Sequence, residues 1–257
     1  MYQLRAYLKF LWRSSNQHGV HSPFVYGLVT RCLYDKNKYP SYDLISNYRK
    51  SLLQKDQIIQ ITDFGAGSRT FKSSERKISD IVKTSGITPK RARLLNRLVR
   101  YLNIGSALEL GTSLGIGSAA LAAGNKIKVT TLEGCTNTAE VAREQFKTFN
   151  FENINCKVGE FSERLNDPGV LDPSFDLIYF DGNHQKQATL EYFHGLLPLA
   201  HNDSVFIFDD IHWSEEMTEA WEEIKAHPSV VVSIDTFFWG FVFFRREQEK
   251  EHFRIRI

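Results

Sequence analysis

Three cysteines in 257 residues, Cys32, Cys135 and Cys156, are too few, too far apart and odd in number to form a disulfide framework or a paired zinc-ligand spacing. They are expected to be reduced and structural. An excess of charge of one sign is equally lacking. With 32 Lys and Arg against 30 Asp and Glu, the formal charge is +2, too small by itself to imply a concentrated basic face for nucleic acid or membrane. No apolar run approaches the roughly 20 residues that span a bilayer. Internal repeats and low-complexity tracts are also missing. The opening MYQLRAYLKFLWRSS interrupts its apolar residues with Arg5, Lys9 and Arg13 and has no small-residue cleavage site. The expectation is therefore an intracellular, cytoplasmic protein. The same segment has the form of a basic amphipathic helix that can rest on a membrane, although packing on its own domain is the commoner use of such a face. What the chain does have, 42% hydrophobic and 24% charged residues, suffices for the core of one large α/β domain with a cap.

From about Ala107 the chain alternates short apolar runs with helical patterns, the signature of a parallel sheet covered by helices. Strands are expected near Ala107–Leu110, Val129–Leu132, Cys156–Val158, Phe175–Phe180 and Ser204–Phe208. VVVSID and GFVFFR are separated only by Thr236 to Trp239, too short a link for a crossover helix, which makes them an antiparallel hairpin. The fold class is thus α/β: a Rossmann-like, mainly parallel seven-stranded sheet with an antiparallel C-terminal hairpin, core 105–257. Residues 1–104 read as a helical N-terminal cap. Within it, Thr88-Pro89 before KRARLLNRLVRYL combines an N-cap residue, a proline at the first helical position and leucines at helical spacing. HGVHSPFVY carries His18 and His21, but Gly19 and Pro23 indicate a turn, and zinc would need further ligands.

The most informative stretch is SALELGTSLGIGSAALAAG. A strand ends at Glu109, passes Gly111, Gly115 and Gly117, and enters a small-residue helix, so free backbone N–H groups face whatever binds the turn. The next strand, VTTLEG, ends in Glu133 about twenty residues on, where an acid accepts ribose hydroxyls. The third strand end, Val158-Gly159-Glu160, is positioned to line an adenine ring. A dinucleotide oxidoreductase would space its glycines G-x-G-x-x-G, whereas these run G-x-x-x-G-x-G. IIQITDFGAGS, with Asp63, Gly65 and Gly67, imitates the first motif, but neither a small-residue helix nor an acid-ended strand follows it. Gly65 to Thr70 is left as a loop near the active site or a plain surface turn.

ELGTSLGIGS, TLEG and FDLIYFDGNH resemble the motifs of class I S-adenosylmethionine-dependent methyltransferases, in particular the metal-dependent, catechol-type small-molecule O-methyltransferases, over roughly Ala107 to Arg245. The resemblance implies S-adenosylmethionine as cofactor, held by Glu109, Gly111, Thr112, Ser113 and Gly115 on its methionine part, Glu133 and Gly134 on the ribose, Gly159 and Glu160 at the adenine, and Asp181. It also implies Mg²⁺ or another divalent metal on Asp181, Asp209 and Asp210, and His184 as the base that activates the acceptor, with Asp181 beside it in the catalytic set. Hard oxygen ligands suit Mg²⁺, and a bound metal lowers an acceptor hydroxyl's pKa. Asp210 and His184 stand where the catechol enzymes carry asparagine and lysine, which opens the metal preference and the acceptor class. His212 and Trp213 follow the acid pair, and the Thr236–Trp239 turn offers aromatic rings to a flat acceptor.

The expected partner is a small-molecule acceptor, with a homodimer compatible with the chain. Two other readings stand beside it: a nucleic-acid methyltransferase using the basic helix 90–100, and a noncatalytic cofactor-binding protein whose acids are structural.

Overall fold

Helix starts follow the capping chemistry of the sequence. Thr88 Oγ1 accepts the Arg91 N–H and Ser214 Oγ accepts the Met217 N–H, while Pro89 takes the first helical position, where no amide hydrogen is needed. The computed structural model describes residues 2–62, 73–167 and 171–257. The loop Gly65–Thr70, with Asp63 before it, lies outside the described residues. In chain order the first half has α1 (Tyr2–Arg13), α2 (Pro23–Leu28), α3 (Ser41–Leu53), β1 (Ile58–Gln60), β2 (Glu75–Lys77), α4 (Ile78–Thr84), α5 (Pro89–Tyr101), β3 (Ser106–Leu110) and α6 (Ile116–Ala122). There follow β4 (Lys128–Glu133), α7 (Thr136–Thr148), β5 (Ile154–Val158), α8 (Phe161–Arg164), β6 (Leu177–Phe180) and α9 (Lys186–Leu196). The chain finishes with β7 (Val205–Asp209), α10 (Glu215–Ala226), β8 (Val232–Asp235), β9 (Trp239–Phe243) and β10 (Glu251–Arg254).

These elements group into two compact units, Lys36–Leu171 and the discontinuous Met1–Asp35 with Asp172–Ile257. In the contiguous unit, β3, β4 and β5 run parallel, with Glu109 opposite Thr131 and Glu133 opposite Val158. The small residues of α6 let it pack tightly, and all seven are buried. Asn96 on α5 fastens its end: the buried amide donates to the Ala120 and Ala123 carbonyls, 2.8 Å each, and accepts from Ser41 Oγ at 2.7 Å. Those carbonyls belong to a helix terminus with no partners of its own. Tyr48 of α3 lies among Phe146, Phe149 and Phe151.

In the discontinuous unit, β6 and β7 are parallel, and β7, β9 and β8 are antiparallel neighbours, with Asp209 opposite Trp239. The expected hairpin is therefore present, although Trp239 belongs to its second strand rather than to the link. β10, a strand not expected from the sequence, pairs parallel with β8. Beyond it Ser15 and Ile255 form a parallel bridge, closed by Ser15 N–H to Arg254 O at 2.9 Å and Arg256 N–H to Ser15 O at 3.1 Å. The HGVHSPFVY segment is a short 3₁₀ turn, Gln17–Gly19, leading to α2, as its glycine and proline predict. Cys32, Cys135 and Cys156 are free and buried.

Candidate functional site

At the end of β3 the backbone turns through Gly111 (φ 106°), Ser113 (φ 48°) and Gly115 (φ 77°), a left-handed path into α6. Gly111 and Thr112 donate their N–H groups to Leu132 O, which ties the turn to the end of β4. Ser113 N–H donates to Glu133 Oε2 at 2.7 Å, and Cys135 N–H to Oε1 at 2.9 Å. The glycine turn and the acid after the second strand are thus one constellation in one unit, as the sequence spacing anticipates. Burial raises the Glu133 pKa, an effect partly offset by those amides. The Gly134 amide and the Thr138 side chain act on the same carboxylate in the same direction.

Glu109 is buried beneath the turn. Its Oε2 accepts from the Ser118 and Thr131 hydroxyls, the latter at 2.7 Å, and Thr131 in turn meets Thr112 Oγ1 at 2.6 Å. Oε1 has no hydrogen-bond partner among the described residues. Burial pushes the Glu109 pKa up to about 7, against the pull of the two hydroxyls and with a further push from Glu133. A buried carboxylate with one empty oxygen lacks the cationic partner that such a group needs to stay charged.

Gly115 cannot be replaced cheaply. A Cβ there would meet Phe146 ring carbons at 2.6 Å and the Tyr48 hydroxyl at 2.6 Å, and that hydroxyl is fixed by donation to Leu114 O at 3.0 Å. Adding positive-φ strain to overpacking, Gly115→Ala should cost about 3 kcal/mol and lower the Tm by roughly 10 °C. A melting curve superimposable on the parent's would refute this. Gly159 (φ 142°) follows β5 and donates to Glu133 O at 2.9 Å, with the Arg164 side chain against the position a Cβ would take. Glu160 is exposed at the start of α8, and Gly134 is half-buried between Glu133 and Cys135.

In the other unit, Asp181 follows β6 and Asp209 ends β7, with Asp210 (φ 52°) next to it. Asp209 Oδ1 accepts the Asp210 N–H at 3.0 Å. The three carboxylates are the right chemical type for a hard cation, but among the described residues no three His, Cys, Asp or Glu side chains are grouped so that they could hold a metal ion. His184 is half-buried, and no hydrogen bond engages its ring among the described residues. Beside it Asn183 (φ 52°) donates from Nδ2 to Tyr192 OH at 3.3 Å and leaves a buried Oδ1 unpartnered among the described residues.

His212 differs from His184, because both its ring nitrogens are occupied: Nδ1 by Thr218 Oγ1 and Nε2 by Asp235 Oδ2, 3.0 Å each. Its ring stacks on Phe237 with centroids 5.2 Å apart, so it supports the hairpin turn. Phe237 and Trp239 are buried, and of the expected aromatic wall Phe238 alone is exposed. Asp235, Thr131, Ser118 and Asn96 all have polar roles that the motifs do not mark. The strand register, which sets Thr131 opposite Glu109, reveals the Thr131 contact. The basic residues of α5 are partly committed: Arg100 and Arg93 lie over the Tyr39 and Tyr42 rings, and Arg97 donates to Tyr42 OH.

Residues 108–211 match the family model of a methyltransferase domain, and solved methyltransferase structures share the fold of the chain. Solved structures with this architecture include the SAH-bound Podospora anserina methyltransferase PaMTH1 (TM-score 0.61, 15% identity, covering 88% of this chain and 97% of that one). They also include an O-methyltransferase from Bacillus cereus in complex with SAH (TM-score 0.55, 19% identity, 82% and 93% covered). A third is TomG of Streptomyces achromogenes, an O-methyltransferase involved in tomaymycin synthesis, in complex with SAM (TM-score 0.56, 16% identity, 81% and 91% covered). Among curated proteins, none matches at a significant level. No helix among the described residues is long and apolar enough to cross a membrane.

Proposed function

We propose that this protein methylates a hydroxyl oxygen of a small molecule, with S-adenosylmethionine as donor. The observation that carries the reading is the bond from Ser113 N–H to Glu133, which joins the glycine turn and the ribose acid. Bound S-adenosylmethionine supplies an electrophilic methyl group on a sulfonium. Gly111, Thr112, Ser113 and Gly115 let the backbone approach its methionine part, and the empty Glu109 Oε1 receives the ammonium. Glu133 and Gly134 take the ribose hydroxyls, and Gly159 and Glu160 border the adenine. In the second unit Asp181 orients the reactants, and His184 accepts the acceptor hydroxyl's proton on a ring nitrogen, leaving the oxygen as nucleophile.

The resemblance to metal-dependent enzymes names Asp181, Asp209 and Asp210 as ligands, but no group of three such side chains forms among the described residues, and no step is routed through a metal. EDTA should leave turnover intact. Loss of activity in EDTA that Mg²⁺ restores would return the three aspartates to a metal role. The commitment of the α5 arginines to tyrosine rings favours a small acceptor over nucleic acid.

The test is calorimetric titration of the full chain with S-adenosylhomocysteine, with NADH as control. Micromolar binding of the former alone is expected. Binding of NADH without binding of S-adenosylhomocysteine would end this reading, and cofactor binding without turnover on any hydroxyl acceptor would make the protein a noncatalytic binder.

A further inference from the structure

Helix α1 is packed on only part of its circumference. Phe10 is 5% exposed and lies 5.6 Å from Phe237, with Tyr7 edge-on to the same ring at 4.8 Å. The Ser15 bridge to Ile255 fixes the helix's C-terminal end. On the outer side, Leu4, Leu8 and Trp12 are 66%, 59% and 81% exposed. Residues four apart drift by only about 40° around a helix, so these three form one apolar stripe. Arg5, Lys9 and Arg13, each one position further on and all exposed, form a basic stripe beside it, about 100° around. The helix YQLRAYLKFLWR contains no carboxylate. Phe238, 44% exposed and edge-on to Phe237 at 5.0 Å, adds another apolar group to this side of the unit.

We propose that α1 docks the protein onto an anionic lipid surface. Its apolar stripe enters the headgroup boundary while Arg5, Lys9 and Arg13 reach the lipid phosphates and carboxylates. The two stripes are what an interfacial helix needs, an apolar face to bury and cations along its border. Twelve residues, about 18 Å of helix, can lie in the surface but not cross it. Charge decides between lipid and a second copy of the chain. A two-fold contact sets the same patch against itself, so three cations would face three cations, whereas an anionic bilayer neutralises them. This proposal does not rest on the methyl-transfer reading.

The full chain is sedimented with unilamellar vesicles of phosphatidylcholine alone and of phosphatidylcholine with phosphatidylserine, at low and high salt. Binding should need phosphatidylserine and weaken as salt rises. The Arg5→Gln, Lys9→Gln, Arg13→Gln triple variant should bind about a hundredfold more weakly, near fivefold for each cation. Leu8→Glu should abolish binding with its Tm unchanged, since Leu8 faces outward. Absence of binding to either vesicle, or binding that Leu8→Glu leaves intact, would overturn the proposal. So would a dimer, seen by sedimentation equilibrium, that Leu8→Glu dissolves in a protein indifferent to vesicles. That result would give the face to a second copy.

Discussion

S-adenosylhomocysteine should bind the full chain about a hundredfold more tightly at pH 8 than at pH 5. Free Glu109 holds its proton up to about pH 7 because burial disfavours its charge. In the proposed complex its unpartnered Oε1 meets the ligand's ammonium, which favours the ionised form. Binding therefore releases a proton, and affinity climbs by up to tenfold per pH unit below about 7 and levels off above. Stability of the ligand-free chain has the opposite slope. A carboxyl whose folded pKa is raised stabilises most below its unfolded value, and that contribution, here about 3 kcal/mol, is lost as pH rises from about 4.5 through 7. Two measurements on one protein should thus cross: urea melts weaken over the window in which calorimetric affinity strengthens. Glu109→Gln should flatten both near pH 7, leaving only what Glu133, also raised by burial, contributes. An affinity in the parent chain that ignores pH would remove Glu109 from the cofactor's ammonium.

His184→Gln should lower kcat by about 10² to 10⁴ while leaving S-adenosylhomocysteine affinity unchanged. Glutamine keeps polarity and bulk but cannot carry the acceptor's proton. The deficit should shrink for acceptors with more acidic hydroxyls and at higher pH, because an oxygen already ionised needs no base. Catechol is a suitable first acceptor, since its hydroxyl titrates well below an alcohol's. His212→Gln is the control, expected to lower Tm through the lost Thr218 and Asp235 contacts and to affect kcat far less. If His184→Gln turned over within a few-fold of the parent, the proton would leave by another route.

The strands with catalytic-type ends were legible because each is a short apolar run closed by Glu109, Glu133, Asp181 or Asp209. The hairpin was legible because its link is too short for a helix. β10 was not, since EHFR is neither apolar nor alternating and owes its strand form to the β8 edge it joins. Within the proposed cofactor cradle, glycine spacing and acid position gave the turn and its bond to Glu133. The hydroxyls that hold Glu109 came from a neighbouring strand and a helix, positions that only register and packing bring together. The three aspartates show the converse: residue type matched a metal set, and spacing along the chain said nothing about convergence.

The discontinuity of the second unit sets a timetable during synthesis. Residues 36–171 form a contiguous unit that is complete once residue 171 has been added, while residues 1–35 wait for 172–257. At about 5 to 20 residues per second, that wait is of order ten seconds. Throughout it Phe10 has no Phe237 to cover it and Ser15 has no Ile255. Until then Tyr2–Arg13 is an apolar, positively charged stretch without its packing partners, open to whatever chaperone or surface it meets first.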